Sequence, residues 1–261
     1  MLARIMSQEV KRHRKQAIIE RVKSDAEAVL DLGCGNGAFT ELVAKNHLES
    51  FVIGLDKSAL MLSMLRKERK RDNIDAIRAD VTRIPIKLKS VDSVIASSVL
   101  HEVLHFMSKK QLLDLFKSVR AVLKLDGQFI IFDHVNPGDD LVEVKLTDDL
   151  LEKLEIFRGR FRPRKIRYTM LENGWTCMSL RDFYDFVTKA SFLDSNIEMN
   201  ETHTPFTIKQ LKTWLQNTGF TIVFERGVEE IEGYLEYYEI QTRRGRFPNR
   251  KLLLEARCGQ S

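Results

Sequence analysis

Nine residues decide the fold of this chain: Val29-Leu30-Asp31-Leu32-Gly33-Cys34-Gly35-Asn36-Gly37. The first residues form an apolar strand, and the acid Asp31 lies near the end of that strand. Three glycines at alternate positions follow. A second apolar strand over residues 51–55 follows, and Asp56 comes directly after it. A glycine turn after one strand, with an acid about 20 residues later, is typical of a βαβ unit that binds an adenosine ribose. The pattern therefore predicts a nucleotide-like cofactor.

The chemistry of the turn narrows the choice of cofactor. The glycine spacing is Gly-x-Gly-x-Gly, whereas dinucleotide sites carry Gly-x-Gly-x-x-Gly. The carboxylate of Asp31 would repel a pyrophosphate but would attract a cationic ligand. The loop therefore favours an adenosine that carries positive charge. A turn with no ligand and a nicotinamide or flavin site remain the alternatives.

Composition limits the class of protein. The chain has 261 residues, of which 43% are hydrophobic and 30% are charged, enough for one α/β domain with an insertion. Its net charge of +5 permits an anionic partner without requiring one. The three cysteines are far apart in sequence, so neither a disulfide framework nor a metal-binding pair is expected. With no signal peptide and no apolar run of about 20 residues, we expect a cytoplasmic protein that does not enter the membrane.

Strands and helices alternate along the first half of the chain. The predicted strands lie at about 28–32, 51–55, 74–79, 91–96 and 129–133. The predicted helices lie at 8–24, 37–46, 58–70 and from Ser108 to Gly127. This alternation predicts a doubly wound, mostly parallel sheet.

The alternation stops between Pro137 and Pro205. Residues 136–205 show helical segments, at 141–157 and from Ser179, but no βα rhythm. After Pro205 a helix capped by Thr207 and two strands, at 220–224 and 251–256, complete a seven-stranded sheet. We therefore expect a core made of residues 1–135 and 206–261. A helical lid of residues 136–205 would cap the ligand-binding edge of the sheet.

Residues 25–135 and 205–257 resemble the class I, Rossmann-like S-adenosylmethionine-dependent methyltransferases. The resemblance rests on the first motif, Asp31-Leu-Gly-Cys-Gly-Asn-Gly37, and on the acids that follow the second and third strands. It implies S-adenosylmethionine as cofactor, with Asp31 near the methionine amino group, Asp56 on both ribose hydroxyls and Asp80 on the adenine amino group. The remaining cofactor-binding residues that it implies are Gly33, Cys34, Gly35, Lys57, Ser58, Val81 and Ser97.

A sulfonium methyl group is already activated, so the enzyme mainly aligns an incoming lone pair and excludes water. A general base matters only where the acceptor starts protonated. Histidine titrates near neutral pH, which makes His101 and His134 the candidate bases. A role in packing or hydrogen bonding is the alternative for each. The candidate substrate-binding residues are Ser98, Glu102, Tyr168, Tyr184 and His203.

One motif suggests different chemistry. Residues 101–105 read His-Glu-Val-Leu-His, which fits the His-Glu-x-x-His pattern of zinc proteases. The segment follows a predicted parallel strand, and Ser108 begins another helix, so its own helix would be barely two turns long. No sequence signature marks a third ligand, and we therefore predict no metal.

Residues 158–167 are basic and contain an aromatic residue, as in nucleic-acid-binding tracts. Shorter basic runs occur at 11–15 and 243–246. The alternative is a solvated surface balanced by nearby acids.

The leading hypothesis is a small-molecule methyltransferase. An RNA methyltransferase that uses Arg158–Arg167 and a non-catalytic S-adenosylmethionine-binding protein are the alternatives. The sequence assigns no oligomeric state.

Overall fold

The computed structural model describes residues 15–228 and 231–259. The chain forms two compact units. The first contains residues 1–133, 211–226 and 253–261, and the second contains residues 134–210 and 227–252.

Strands and helices alternate as the sequence predicts over the first unit. The strands are β1 Ala28–Leu32, β2 Phe51–Asp56, β3 Ile74–Arg78, β4 Val91–Ser97, β5 Leu123–His134, β6 Leu141–Lys145, β7 Tyr168–Met170, β8 Trp175–Ser179, β9 Phe220–Val228, β10 Gln241–Thr242 and β11 Lys251–Cys258. The helices are α1 Ala38–Asn46, α2 Ala59–Glu68, α3 Leu100–Phe106, α4 Lys109–Val122, α5 Asp148–Arg160, α6 Leu180–Lys189, α7 Asn196–Asn200, α8 Ile208–Asn217 and α9 Glu232–Tyr237. Within the described ranges, no helix has the length and apolar character needed to cross a membrane.

Seven strands form one sheet in the order β3-β2-β1-β4-β5-β11-β9. The pairings that join β1 to β2 and β4, β2 to β3, and β4 to β5 are all parallel. This confirms the predicted doubly wound, mostly parallel sheet. Because parallel strands end at the same edge, the loops after β1, β2, β3 and β4 lie along one side of the sheet. Those loops carry most of the residues that the family resemblance predicts to bind the cofactor.

The central strands are buried on both faces. Leu30, Leu32, Val94 and Ile95 have no exposed side-chain surface, and neither has Ile130. Burial on both faces is expected for parallel strands that helices cover from either side, and it explains why these strands read as continuous apolar runs rather than as alternating ones.

The junction of α4 and β5 differs from the prediction. The helix ends at Val122 rather than at Gly127, and β5 begins at once. The β4–β5 register shifts there, so that Leu123 and Gln128 are the successive partners on β5. Asp126 adopts a φ of 58° within this irregular stretch. The predicted N-terminal helix is helical over residues 15–19, and its residues 8–14 lie outside the described ranges.

The second unit is not the purely helical lid that the sequence suggested. It contains a four-stranded sheet in the order β10-β6-β8-β7, with antiparallel pairings. Residues 141–145 form β6 rather than the start of a helix, because Leu-Val-Glu-Val-Lys alternates between exposed and buried positions and its valines favour a strand. Residues 227–252 also group with this unit, whereas the sequence placed them in the core. The predicted start of α6 is confirmed, since Ser179 Oγ accepts a hydrogen bond from the Asp182 amide.

Two glycines of the first loop allow a matched stability test. Gly37 has a φ of 80°, and a Cβ added there would lie 2.1 Å from Leu65 Cδ1. Gly35 has a φ of 55°, but a Cβ there would meet nothing within 4 Å. We expect Gly37→Ala to lower the free energy of unfolding by about 2–4 kcal/mol, from backbone strain and overpacking. Gly35→Ala should cost only the backbone term, about 1 kcal/mol. Urea unfolding of both variants measures the difference, and equal losses would contradict the packing argument.

Candidate cofactor and transfer site

A cavity opens at the carboxyl edge of the first unit's sheet. The loops after β1, β2 and β3 form one wall, and the segment from the end of β4 through α3 forms the other. The lining residues are Gly33, Gly35, Asp56, Lys57, Asp80, Val81, Ser98, Val99, Glu102, Val103, Phe106 and Met107. The cavity therefore brings together six of the ten predicted cofactor-binding residues and two of the five predicted substrate residues.

The carboxylate of Asp56 is held in place by backbone amides. Its Oδ2 accepts a hydrogen bond from the Gly35 amide at 2.9 Å, and its Oδ1 accepts one from the Ser58 amide at 2.8 Å. The first of these bonds ties the glycine loop directly to the end of β2. A carboxylate oxygen can accept more than one hydrogen bond, so a fixed carboxylate at a cavity wall suits a pair of vicinal hydroxyls.

Asp80 is held in a similar way at the end of β3. Its Oδ1 accepts hydrogen bonds from the Thr82 hydroxyl at 2.7 Å and the Thr82 amide at 2.8 Å. These bonds lower the pKa of Asp80, so the group is ionised near neutral pH. An ionised carboxylate can accept a hydrogen bond from an exocyclic amino group, which is the role that the family resemblance implies.

The glycine loop leaves room for a ligand beside these acids. The space next to Gly35 Cα, where a Cβ would point, is open to at least 4 Å, and Gly35 lines the cavity. A glycine there lets a ligand approach the backbone closely. The open space beside Gly35 and the two fixed carboxylates fit an adenosine-containing cofactor.

Asp31 and Cys34 lie below the cavity rather than on its wall. Asp31 is 2% exposed, and its Oδ2 accepts a hydrogen bond from the Thr40 hydroxyl at 2.7 Å. Burial raises the pKa of Asp31 to about 7, and the charge of Asp56 adds to that effect. Burial also raises the pKa of the Cys34 thiol to about 12, so this cysteine stays neutral and is not a reactive thiolate.

His101 and Asp133 form a buried pair behind the β4–α3 wall. His101 Nδ1 lies 2.6 Å from Asp133 Oδ1, and both side chains are at most 6% exposed. The other carboxylate oxygen accepts hydrogen bonds from the amides of Val99 at 3.0 Å and Leu100 at 2.7 Å. A carboxylate in this position favours the tautomer that carries the proton on Nδ1.

The other predicted site residues lie elsewhere. Ser58 caps α2, and Ser97 is half-buried on β4 opposite Phe132. In the second unit, the rings of His134 and His203 stack with their centroids 4.3 Å apart. Tyr168 is half-buried on β7.

Tyr184 belongs to the hydrophobic core of the second unit. It is 1% exposed, and its hydroxyl donates a hydrogen bond to the Pro248 carbonyl. This environment gives Tyr184 a packing role instead of the substrate contact that the sequence suggested.

Sequence reasoning missed the apolar part of the cavity wall. Val99, Val103, Phe106 and Met107 line it. Phe106 is 54% exposed, so part of its ring is available at the cavity. Their spacing of i, i+4, i+7 and i+8 is the helical signal in the sequence that marks this apolar face.

The two histidines of the His-Glu-x-x-His motif at residues 101–105 do not belong to a common group of possible metal ligands within the described residues. α3 spans only Leu100–Phe106, and His101 Nδ1 is already engaged by Asp133. The His105 ring packs edge-on against Phe106, at 4.6 Å between centroids. Throughout residues 15–228 and 231–259, His105 belongs to no group of three or more side chains that could share a metal ion.

Three of the six basic residues of the segment 158–167 form ion pairs within the second unit. Arg164 bonds to Asp182 Oδ1 at 2.8 Å and to Asp185 Oδ2 at 2.7 Å. Arg158 pairs with Glu155, and Arg160 pairs with Asp194. The tract is therefore not a continuous stripe of unpaired positive charge.

The buried Asp31 makes stability depend on pH. Its pKa is about 7 in the folded chain and 3.8 for an ordinary aspartate. Between these values the folded state holds a proton that the unfolded state has lost, so stability falls as the pH rises. We expect Asp31→Asn to be more stable than wild type, with the difference in unfolding free energy growing by about 2 kcal/mol from pH 5 to pH 8. Urea unfolding at both pH values tests this. Asp72→Asn, at an exposed aspartate, is the control and should show no such trend.

Comparison with known proteins gives a consistent result. Residues 30–131 match the sequence profile of a methyltransferase domain. An uncharacterized chloroplastic methyltransferase of Arabidopsis thaliana is 38% identical over 80 residues, which are 28% of this chain and 22% of that protein. A probable S-adenosylmethionine-dependent methyltransferase of Saccharomyces cerevisiae is 31% identical over 122 residues, 44% of this chain and 38% of that protein. The chain thus spans well under half the length of these curated relatives.

A solved structure shares the fold over nearly the whole chain. The S-adenosylmethionine-dependent methyltransferase of Mesorhizobium loti superposes with a TM-score of 0.59, at 20% identity, over 93% of this chain and 96% of that one. The matched domain contains the glycine turn and both cavity walls. Residues 30–131 thus match a methyltransferase domain, and the chain shares the fold of the class I S-adenosylmethionine-dependent methyltransferases.

Proposed function

We propose that this protein transfers the methyl group of S-adenosylmethionine to a small-molecule acceptor by in-line displacement. One observation carries the proposal: a single cavity joins the fixed Asp56 carboxylate to the polar groups of the β4–α3 wall. The cofactor, when bound, supplies a sulfonium methyl group that is already activated for transfer. The chain then has to orient the two reactants and exclude water.

The wall formed by the loops after β1, β2 and β3 would hold the cofactor through side chains that need little rearrangement. In this proposal Asp56 accepts from the ribose hydroxyls and Asp80 from the adenine amino group. Both carboxylates are already oriented by backbone amides, so their ordering cost is paid before binding. For Asp31 we retain the position near the methionine amino group that the resemblance implies, although its carboxylate is buried on Thr40 and its pKa of about 7 leaves it partly protonated at neutral pH.

His101 is the preferred base where the acceptor begins protonated. Asp133 orients its ring and stabilises the imidazolium that proton uptake would create, as a carboxylate does for other catalytic histidines. Ser98 and Glu102 line the cavity on either side of His101 in sequence and are candidates for binding the acceptor. His134 is the second candidate base. For His203 and Tyr168 we retain the proposed acceptor contact.

We assign acceptor choice to the second unit, which begins at His134, the last residue of β5. A small acceptor is favoured over RNA because Arg158, Arg160 and Arg164 are paired with acids. RNA methylation stays the alternative, and it predicts salt-sensitive RNA binding that is lost on neutralising Arg158–Arg167. A non-catalytic role predicts saturable cofactor binding without methyl transfer to any member of a broad acceptor panel.

Cofactor binding can be tested before any acceptor is known. Removing a carboxylate that holds two hydroxyls should cost two charge-assisted hydrogen bonds. We expect Asp56→Ala to weaken S-adenosylmethionine binding by about 100-fold in calorimetry. Asp72→Ala removes an exposed carboxylate and should bind as wild type does. Binding of NAD in place of S-adenosylmethionine by the wild type would overturn the proposal.

The role of the buried pair can be tested by its pH profile. We expect Asp133→Asn to lower kcat by about 100-fold with the best acceptor of the panel, because the wrong histidine tautomer is favoured. His101→Gln should lose the acidic limb of the profile, where protonation of the base lowers the rate, while S-adenosylmethionine binding changes less than about threefold. Release of S-adenosylhomocysteine measures the rate. An unchanged pH profile in His101→Gln would remove this histidine from the mechanism.

A further inference from the structure

The loop between β10 and β11 is a strongly basic short segment of the second unit. Residues 243–250 read Arg-Arg-Gly-Arg-Phe-Pro-Asn-Arg, with four arginines and no acid. The loop forms a shallow groove lined by Arg244, Arg246, Phe247, Pro248 and Asn249. Methyl transfer, as proposed above, makes no use of this groove.

Two hydrogen bonds hold Arg244 in place. The Arg244 amide donates to Thr242 Oγ1 at 2.9 Å, and Arg244 Nε donates to the Arg246 carbonyl at 2.8 Å. A carboxylate oxygen of Asp140 lies 3.9 Å from Arg244 Nη2, at the outer limit of an ion pair, and that carboxylate is 77% exposed. Exposed pairs at such distances contribute little, so Arg244 keeps most of its charge available.

Arg246 carries the clearest excess of charge. Its side chain is exposed, and within the described parts of the chain no carboxylate lies within ion-pair distance of it. Arg243 provides the contrast, because it pairs with Glu143 and its guanidinium lies 4.2 Å from the Trp175 ring centre. Arg243 is thus occupied, while the two arginines of the groove present positive charge to solvent.

The floor of the groove is anchored in the second unit. Phe247 is 6% exposed and belongs to that unit's core. The Pro248 carbonyl accepts a hydrogen bond from the buried Tyr184 hydroxyl. Asn249 packs closely on Gly227, where an added Cβ would come within 2.4 Å of the carboxamide nitrogen. A preformed groove binds with a smaller entropic cost than a loop that must first become ordered.

We propose that this groove binds a phosphate group. Two guanidinium groups and one carboxamide offer several N–H donors, and a phosphate has enough acceptor oxygens to engage them together. The phosphate can belong to the backbone of a single-stranded nucleic acid or to a phosphorylated small molecule. Both sources present the same oxyanion. The proposal is independent of the acceptor that is methylated.

Two probes distinguish the sources. Inorganic phosphate is titrated while the arginine Nε–H resonances are followed by NMR. A fluorescent single-stranded RNA of about 12 nucleotides is titrated by anisotropy at several salt concentrations. We expect the double variant Arg244→Gln/Arg246→Gln to weaken binding of the effective probe at least tenfold. For RNA, the slope of log affinity against log salt should fall by about 1–2.

The control carries the same change in charge in the first unit. Lys67→Gln/Lys70→Gln neutralises two exposed lysines that line neither the cavity nor the groove and should leave binding within about twofold. RNA binding far tighter than phosphate binding identifies a nucleic acid strand, and equal affinities identify a small phosphorylated ligand. Equal losses in both double variants, unchanged binding in the groove variant, or no binding of either probe would overturn the proposal. Arg246→Gln alone serves if the double variant does not fold.

Discussion

The carboxylate of Asp133 joins the end of β5 to the start of α3, and the transfer side of the cavity depends on that connection. One of its oxygens accepts hydrogen bonds from the backbone amides of Val99 and Leu100, and the other lies within hydrogen-bond distance of His101 Nδ1. At 1% exposure, such a group is stable only when its hydrogen bonds are satisfied. Removing it would leave the first amides of α3 without their acceptor. The Asp133 carboxylate therefore holds the backbone of the β4–α3 wall and also orients the ring of His101, the proposed base.

Much of the first unit could be predicted because its signals are local. An apolar run, a glycine turn and an acid at the next strand end each occupy a few consecutive residues, and together they define a parallel sheet edge. Asp56 and Asp80 lie as predicted at the ends of β2 and β3, where they line the cavity. Asp31 satisfies the same sequence pattern, yet it lies beneath the wall, with its carboxylate on Thr40. Position along a strand predicts which edge a residue reaches, but not whether its side chain faces the ligand.

The second unit was harder to predict because its order comes from distant contacts. Five alternating residues at 141–145 were too short to separate a strand from a helix by periodicity, and their partners on β8 begin 30 residues later. The basic segment misled for the same reason. Burial raises the pKa of Asp185, but Arg164 and the surrounding hydrogen bonds outweigh burial and hold it below its usual value. Nothing in the neighbouring sequence marks Arg164 as the partner of an acid that follows 21 residues later.

Buried charge gives the second unit a defined arrangement instead of a pliable one. Lys189 has no exposed side-chain surface, and its ammonium lies 2.8 Å from Glu198 and 3.4 Å from His203. Glu198, Glu201 and His203 come close enough to share a metal ion, but the lysine already supplies the cation between them. A buried charge is tolerated only in a geometry that pairs it, so alternative packings of this unit leave charges uncompensated. An insertion that served only as a flexible flap would gain nothing from such a network. A unit that presents fixed side chains to a ligand would gain from such a network. The network therefore favours ligand recognition by a preformed surface.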